Sequence, residues 1–263
     1  MRFTKMHGRG NAYLYVYGEV PANVADLSMR LSDRHFGVGS DGMIYIGPSN
    51  EADFSMRIFN ADGSEAKMCG NGIRCVGKYV YDKGHTNKTS LDIQTLSGIR
   101  HLELSVEDGA VVAATVDMGT VTVEDTKKLT LDDAPLLCTP VNVGNPHAVV
   151  LVRDADSAPV AILGPRLERH KAFPGGVNVE FVERIGEREL RMRVWERGSG
   201  ITMACGTGAC ASAAAMVSKG LCPAEVPITV HLDGGDLSIV VDKNGSVTME
   251  GPAVTVFEGE VTQ

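Results

Sequence analysis

Slid along itself by 136 positions without a gap, the chain meets its own polar and glycine residues. Cys69, Gly70 and Gly72 fall on Cys205, Gly206 and Gly208, and Lys83-Gly84 falls on Lys219-Gly220. Arg57-Ile58-Phe59 falls on Arg193-Val194-Trp195, and Asn60-Ala61 on Glu196-Arg197. Near the start of each half, Gly10-Asn11 has a counterpart in Gly144-Asn145. A period this long marks a duplicated domain rather than a short solenoid repeat. It restricts the fold to two halves built alike, with the boundary near Val116 to Thr120.

Local patterning says what each half contains. Ala52 to Phe59 and Glu189 to Trp195 alternate apolar and polar residues and read as strands. Each is followed by a Gly/Ser-rich turn and then by a Cys-Gly-x-Gly element that reads as a helix start. Ile73, Val76 and Val80 recur at helical spacing, whereas GTGACASAAAMVSKG is almost all small residues, a helix that strands can enclose closely. Lys83-Gly84 and Lys219-Gly220 give a cation and a glycine stop at the helix ends. Further strands are predicted at 42–47, 90–96, 100–106, 111–118, 228–232, 237–241 and 246–249, many of them joined by hairpin turns. Two other helices are predicted, at 22–34 and 156–171. The strand at 253–257 is placed back with the first half. The fold class is α+β, with domains at 1–116 (joined by 252–263) and 117–251.

Of the 263 residues, 43% are hydrophobic, enough for two cores, and the formal charge of −8 argues against a nucleic-acid or membrane-surface partner. No apolar run approaches the length of a membrane span, and the N-terminus lacks a signal-peptide pattern. The expectation is a cytoplasmic protein. Its six cysteines include no C-x-x-C pair, so reduced thiols and no metal site are expected.

Two cysteines in matching frames leave open a redox pair, a metal site or a nucleophile. Their position narrows the choice. A helix start leaves backbone N–H groups unpaired and carries partial positive charge. Gly70, Asn71, Gly206 and Thr207 expose such groups to a carboxylate, and the same ends are expected to lower the pKa of the adjacent thiols toward neutrality. With a thiol on each face of the carbon next to that carboxylate, one removes the α-proton and the other supplies one. No pyridoxal-phosphate lysine motif, Walker loop or Rossmann fingerprint is present, so no cofactor is expected and the carbanion relies on preorganised donors. Cys75, Cys138, Cys210 and Cys222 lack the frame and read as packing residues.

Longer motifs carry a resemblance. Lys5-Met6-His7-Gly8-Arg9-Gly10-Asn11, Phe59-Asn60-Ala61-Asp62-Gly63-Ser64, Met68-Cys69-Gly70-Asn71-Gly72-Ile73-Arg74-Cys75, Gly144-Asn145-Pro146-His147, Glu196-Arg197-Gly198-Ser199-Gly200 and Ala204-Cys205-Gly206-Thr207-Gly208-Ala209-Cys210 resemble the diaminopimelate epimerases over nearly the whole chain. The resemblance implies two pseudo-symmetric domains, each a curled, mainly antiparallel sheet around a central helix, with the site in the cleft between them. It implies interconversion of LL- and meso-diaminopimelate on the route to lysine and peptidoglycan, by Cys69 and Cys205 as the acid/base pair, and a homodimer. Gly70, Asn71, Gly206 and Thr207 would hold the reacting carboxylate, and His147 and Glu196 would set thiol protonation. Arg197 is suited to a distal carboxylate and Glu196 to an ammonium, with Asn11, Asn60, Asn145 and Asn178 as amide contacts.

Two positions depart from the family pattern: Ala12, where Asp is common, and Gly42, where some members carry Gln. Both bear on how the distal end of the substrate is held. A two-thiol racemase of the same fold acting on another amino acid, such as histidine, is the alternative, and an inactive amino-acid-binding protein is a third reading. Both Cys-Gly-x-Gly frames and Glu196-Arg197 speak against the third, and Arg197 favours a substrate with a distal carboxylate.

Overall fold

The structure, a computed structural model, describes residues 1–131 and 134–262; Gln263, the last residue of the returning segment, lies outside them. The chain divides into two compact units, Met1–Asp117 with Glu250–Gln263, and Met118–Met249. Among the described residues no helix is long and apolar enough to cross a membrane.

In the first unit, Arg2–Gly8 pairs antiparallel with Asn11–Tyr17 and with Val254–Glu260, which places the C-terminal strand in this unit. Asn11–Tyr17 then runs parallel to Gly42–Gly47, and Gly42–Gly47 antiparallel to Phe54–Asn60. Phe54–Asn60 runs parallel to Ser90–Thr95, which forms a hairpin with Gly98–Glu107. A parallel pair needs a crossover, and here each crossover contains a helix: α1 (Val24–Ser32) and α2 (Gly70–Asp82). α1 is shorter than the predicted 22–34 stretch. It buries Val24, Leu27 and Leu31, one side of the helix, against the Met43, Tyr45 and Phe59 face of the sheet.

The second unit repeats this pairing. Pro146–Leu151 runs parallel to Asn178–Arg184, and Asn178–Arg184 antiparallel to Glu189–Glu196. Glu189–Glu196 runs parallel to Ile228–Leu232, which forms a hairpin with Gly235–Val241. The crossovers contain α3 (Val160–Glu168) and α4 (Gly206–Ser218). The predicted helix at 156–171 is cut down to α3. Asp154 Oδ1 accepts from the Asp156 and Ser157 N–H groups, which makes a turn of the segment before it. α3 lies so close to the sheet that a Cβ on Gly164 would stand 2.6 Å from Trp195 Cβ.

The two cysteine-capped helices occupy the same span of the repeat, 70–82 and 206–218, and both end on lysine caps, Lys83 and Lys219. The next residues, Gly84 and Gly220, take φ of 73° and 66°, the left-handed conformation that glycine reaches without Cβ strain. α2 buries Ile73, Val76 and Val80 completely, each contributing about 1.5–3 kcal/mol of burial. α4 packs against Pro146–Leu151, Asn178–Arg184, Glu189–Glu196 and Gly235–Val241, among other strands of its unit. Its Ala209, Ala211, Ala213 and Ala215 are fully buried, and methyl groups alone let the sheet approach from every side.

Candidate active site

Each frame cysteine is the N-cap of its helix. Cys69 Sγ accepts from the Gly72 N–H at 3.3 Å and Cys205 Sγ from the Gly208 N–H at 3.4 Å, while the Ile73 and Ala209 N–H groups bond the cysteine carbonyls. The N–H groups of Gly70 and Asn71, and of Gly206 and Thr207, precede that first intrahelical bond, in the position where a helix start receives an anion. Both caps have extended backbone, with φ of −139° and −120°, so the chain turns into the helix at the sulfur.

Around Cys69 stand Asn11 and Tyr13. The thiol donates to Asn11 Oδ1 at 3.4 Å, and the buried Tyr13 hydroxyl, its pKa raised chiefly by burial, lies against both. Asp41 fixes the amide's orientation. Its Oδ2 accepts from Asn11 Nδ2 at 2.9 Å and from the Ala12 N–H at 2.7 Å. A carboxylate from a neighbouring loop thus holds both Asn11 and the Ala12 backbone. Gly42 has φ +149°, and a Cβ there would collide with the Phe59 carbonyl oxygen, so the glutamine of some relatives does not fit this backbone. Arg74, fully buried, donates to the Gly70 carbonyl at 3.2 Å and to Asn71 Oδ1 at 3.0 Å, locking the first turn of α2. Asn60 donates to Ser64 Oγ within its own loop at 3.1 Å.

Around Cys205 the residues form a chain. Thr207 Oγ1 lies 3.5 Å from Cys205 Sγ, Asn145 Nδ2 donates to Thr207 Oγ1 at 3.3 Å, and Asn145 Oδ1 lies 3.0 Å from His147 Nε2. His147 Nδ1 meets Glu180 Oε1 at 2.7 Å, with both side chains fully buried. Glu196 lies on the adjacent strand, accepts from the Thr202 hydroxyl and is hydrogen-bonded to Cys205. Its pKa is raised, mainly by burial. Arg197 donates through its backbone N–H to Asn178 Oδ1 and through Nη1 to the Gly175 carbonyl, each at 2.8 Å. Glu168 holds the turn that carries this pair, accepting from Trp195 Nε1 at 2.7 Å and from the Gly198 N–H at 3.2 Å.

The expectation that the helix start brings this thiol toward neutrality is overturned for Cys205. Burial pushes it well above its ordinary value, and the Glu196 and Glu180 carboxylates push it further; the Thr207 hydroxyl and the Gly208 N–H pull the other way. Desolvation of a thiolate outweighs the donors at the helix end. Cys75 and Cys138, also buried, are pushed up to about 11, which suits packing rather than reaction.

The sequence profile described as diaminopimelate epimerase matches residues 3–124 and 139–256. The diaminopimelate epimerase of Acetivibrio thermocellus is 50% identical over a 277-residue alignment covering 99% of this chain and 98% of that protein. The chain belongs to the diaminopimelate epimerase family. The Bacillus subtilis diaminopimelate epimerase is 49% identical, with 98% and 97% covered. The fold of this family member is shared more widely. A Bacillus anthracis phenazine biosynthesis protein of the PhzF family superposes with a TM-score of 0.80 at 19% identity, covering 100% of this chain and 99% of that one. A hydroxyproline epimerase from Agrobacterium vitis gives 0.75 at 17%, covering 98% and 91%.

Sequence reasoning missed Glu180, Asp41, Tyr13, Thr202 and Glu168. Glu180 left one signal, an acid inside the run Val177-Asn178-Val179-Glu180-Phe181-Val182, which is otherwise apolar but for Asn178. The others arrive from loops, from a strand and, for Glu168, from the end of α3, with no motif of their own.

Proposed function

We propose that the protein interconverts LL-2,6-diaminopimelate and meso-diaminopimelate by a two-base, cofactor-independent epimerisation, with Cys69 and Cys205 on opposite faces of one α-carbon. The observation that carries this reading is the pair of cysteine N-caps, each sulfur 3.3–3.4 Å from an N–H in the first turn of its helix. Such a turn offers donors to a carboxylate beside a thiol. The α-proton is weakly acidic, and its removal becomes feasible where the charge spreading onto the carboxylate is met by fixed N–H groups. One sulfur takes the proton from its face while the other delivers a proton to the opposite face, so the centre inverts and both thiols exchange protonation state. Cys205, held protonated by burial and two carboxylates, is the proton donor at the start of one direction of turnover. Cys69, whose S–H meets Asn11 Oδ1 in the free protein, is then the base in its deprotonated form. Arg197 receives the distal carboxylate, and Glu196 the distal ammonium. The asparagines fix the remaining polar groups.

The test is incubation in D2O with LL-diaminopimelate and, separately, with single amino acids including histidine, followed by NMR and chiral analysis. Deuterium at the inverted centre of diaminopimelate is expected. Turnover of a simple amino acid with none on diaminopimelate would replace the proposed substrate by the racemase alternative.

A further inference from the structure

The two thiols have like caps but unlike neighbours. The step that carries residue 69 to 205 carries Ile44 to Glu180, and it also carries their strand partners, Ile58 and Val194, onto each other. Both side chains press on the same glycine of the frame. A Cβ on Gly72 would lie 2.7 Å from Ile44 Cδ1, and one on Gly208 would lie 2.8 Å from Glu180 Oε1. The first unit fills this seat with an aliphatic chain, so the fold does not require an acid there. Burying one is costly unless it is hydrogen-bonded. Glu180 is fully buried, and its Oε2 has no hydrogen-bond partner among the described residues. Tyr13 and His147 differ likewise, each two residues beyond the asparagine of its unit. Beside Cys69 the aromatic is a phenol that burial keeps neutral; in the Cys205 chain it is an imidazole backed by a carboxylate.

We propose that Glu180 is a positioning residue for Cys205, acting through His147, Asn145 and Thr207. The carboxylate accepts from His147 Nδ1, which fixes the proton on that nitrogen and leaves Nε2 as the atom facing Asn145. Two polarities of the chain are then self-consistent. With Nε2 bare, it accepts from the Asn145 NH2 group, Asn145 Oδ1 accepts from the Thr207 hydroxyl, and Thr207 Oγ1 accepts from the Cys205 S–H. With Nε2 protonated, it donates to Asn145 Oδ1, the NH2 group donates to Thr207 Oγ1, and the Thr207 O–H donates to a Cys205 thiolate. The chain thereby supports either protonation state of the sulfur, as a residue that alternates between acid and base requires. The extra proton on Nε2 comes from water and is returned to it. The titratable groups facing this chain are Glu180, Glu196 from the neighbouring strand, and Cys205 at the start of α4.

This inference rests on the reading of Cys205 as an acid/base group, and its test does not use turnover. Alkylation of Cys205 and Cys69 by iodoacetamide is followed by mass spectrometry against pH, so that each thiol reports its own midpoint. Glu180→Gln removes the charge and lets Nδ1 be met by an amide N–H, freeing the tautomer. The Cys205 midpoint is expected to rise by about one pH unit, the scale of one lost charge contact, because the protonated Nε2 that supports the thiolate loses its backing carboxylate, while that of Cys69 stays put; a fall, the sign of simply losing a nearby like charge, overturns the chain. In a Thr207→Val background, where the last link is cut but the backbone N–H remains, the same substitution should shift the midpoint by less than half as much. An equal shift in both backgrounds is a through-space charge effect and overturns the chain; no shift in either does so too. If Glu180→Gln does not fold, Glu180→Ile, which installs the first unit's side chain in this seat, replaces it under the same criteria. A protein inactive on diaminopimelate would sink the proposed function yet leave these midpoints readable.

Discussion

Replacing Cys69 by serine and by alanine separates the two jobs given to its sulfur. The sulfur caps α2 through the Gly72 N–H at 3.3 Å, and in the proposed reaction it also moves a proton. Alanine loses both. Loss of an N-cap acceptor costs about 1 kcal/mol, which for a chain of this size lowers Tm by about 3 °C. Serine is among the best N-cap residues and should hold stability to within about 0.5 kcal/mol of wild type. Its hydroxyl keeps its proton at neutral pH, so it does not serve as the base. Positioned acid/base groups contribute about 10²–10⁴-fold, so both variants should lose at least about 3 kcal/mol of transition-state stabilisation. The assay pairs deuterium incorporation from D2O with thermal unfolding of the same samples. A serine variant within tenfold of the wild-type rate would refute the acid/base role. Alanine and serine variants that melt together would refute the cap.

Glu196→Gln tests the buried carboxylate. Burial raises the Glu196 pKa, so its contribution to stability is fully present below the ordinary carboxylate value of about 4.3 and is lost as pH rises through the raised value. The Gln variant should therefore melt above wild type at pH 8, and the difference should shrink toward pH 4; a wild type that is the more stable at pH 8 contradicts this. Gly164→Ala places a methyl 2.6 Å from Trp195 Cβ and should cost about 1–3 kcal/mol by overpacking, read as a lower Tm. An unchanged melt would mean that α3 can withdraw from its sheet.

The repeat was legible because it falls on residues with strict local duties. Cap, glycine stop and glycine-bounded strand each depend on a few adjacent positions, so α2 and α4 follow from the frame alone. What was not legible depends on partners far along the chain. Val160–Glu168 lies within a longer stretch that reads as helix, and only Asp154, turning back on Asp156 and Ser157, shows that the stretch opens as a turn. Asp41 orients the Asn11 amide from 30 residues away. The effect of the helix start on Cys205 was misjudged because local sequence shows the cap but not the burial, nor the two carboxylates brought by neighbouring strands. Asn60 also meets Ser64 four residues on, a pairing the Gly/Ser-rich turn itself suggests.

The alanine-rich α4 has a consequence for precision. Ordering an alanine side chain loses no rotamer freedom, and a methyl has no alternative position to adopt. Apart from Met216 near its far end, the buried side chains of α4 are small, so the helix that carries Cys205 has little of the usual source of slack in a protein interior, side chains that repack when a neighbour moves. Strain at the surface of this unit reaches the sulfur as displacement of a rigid rod, or it does not reach it at all. A thiol that must meet one hydrogen atom on one face of one carbon sits at the start of a helix whose buried alanines leave it little room to drift.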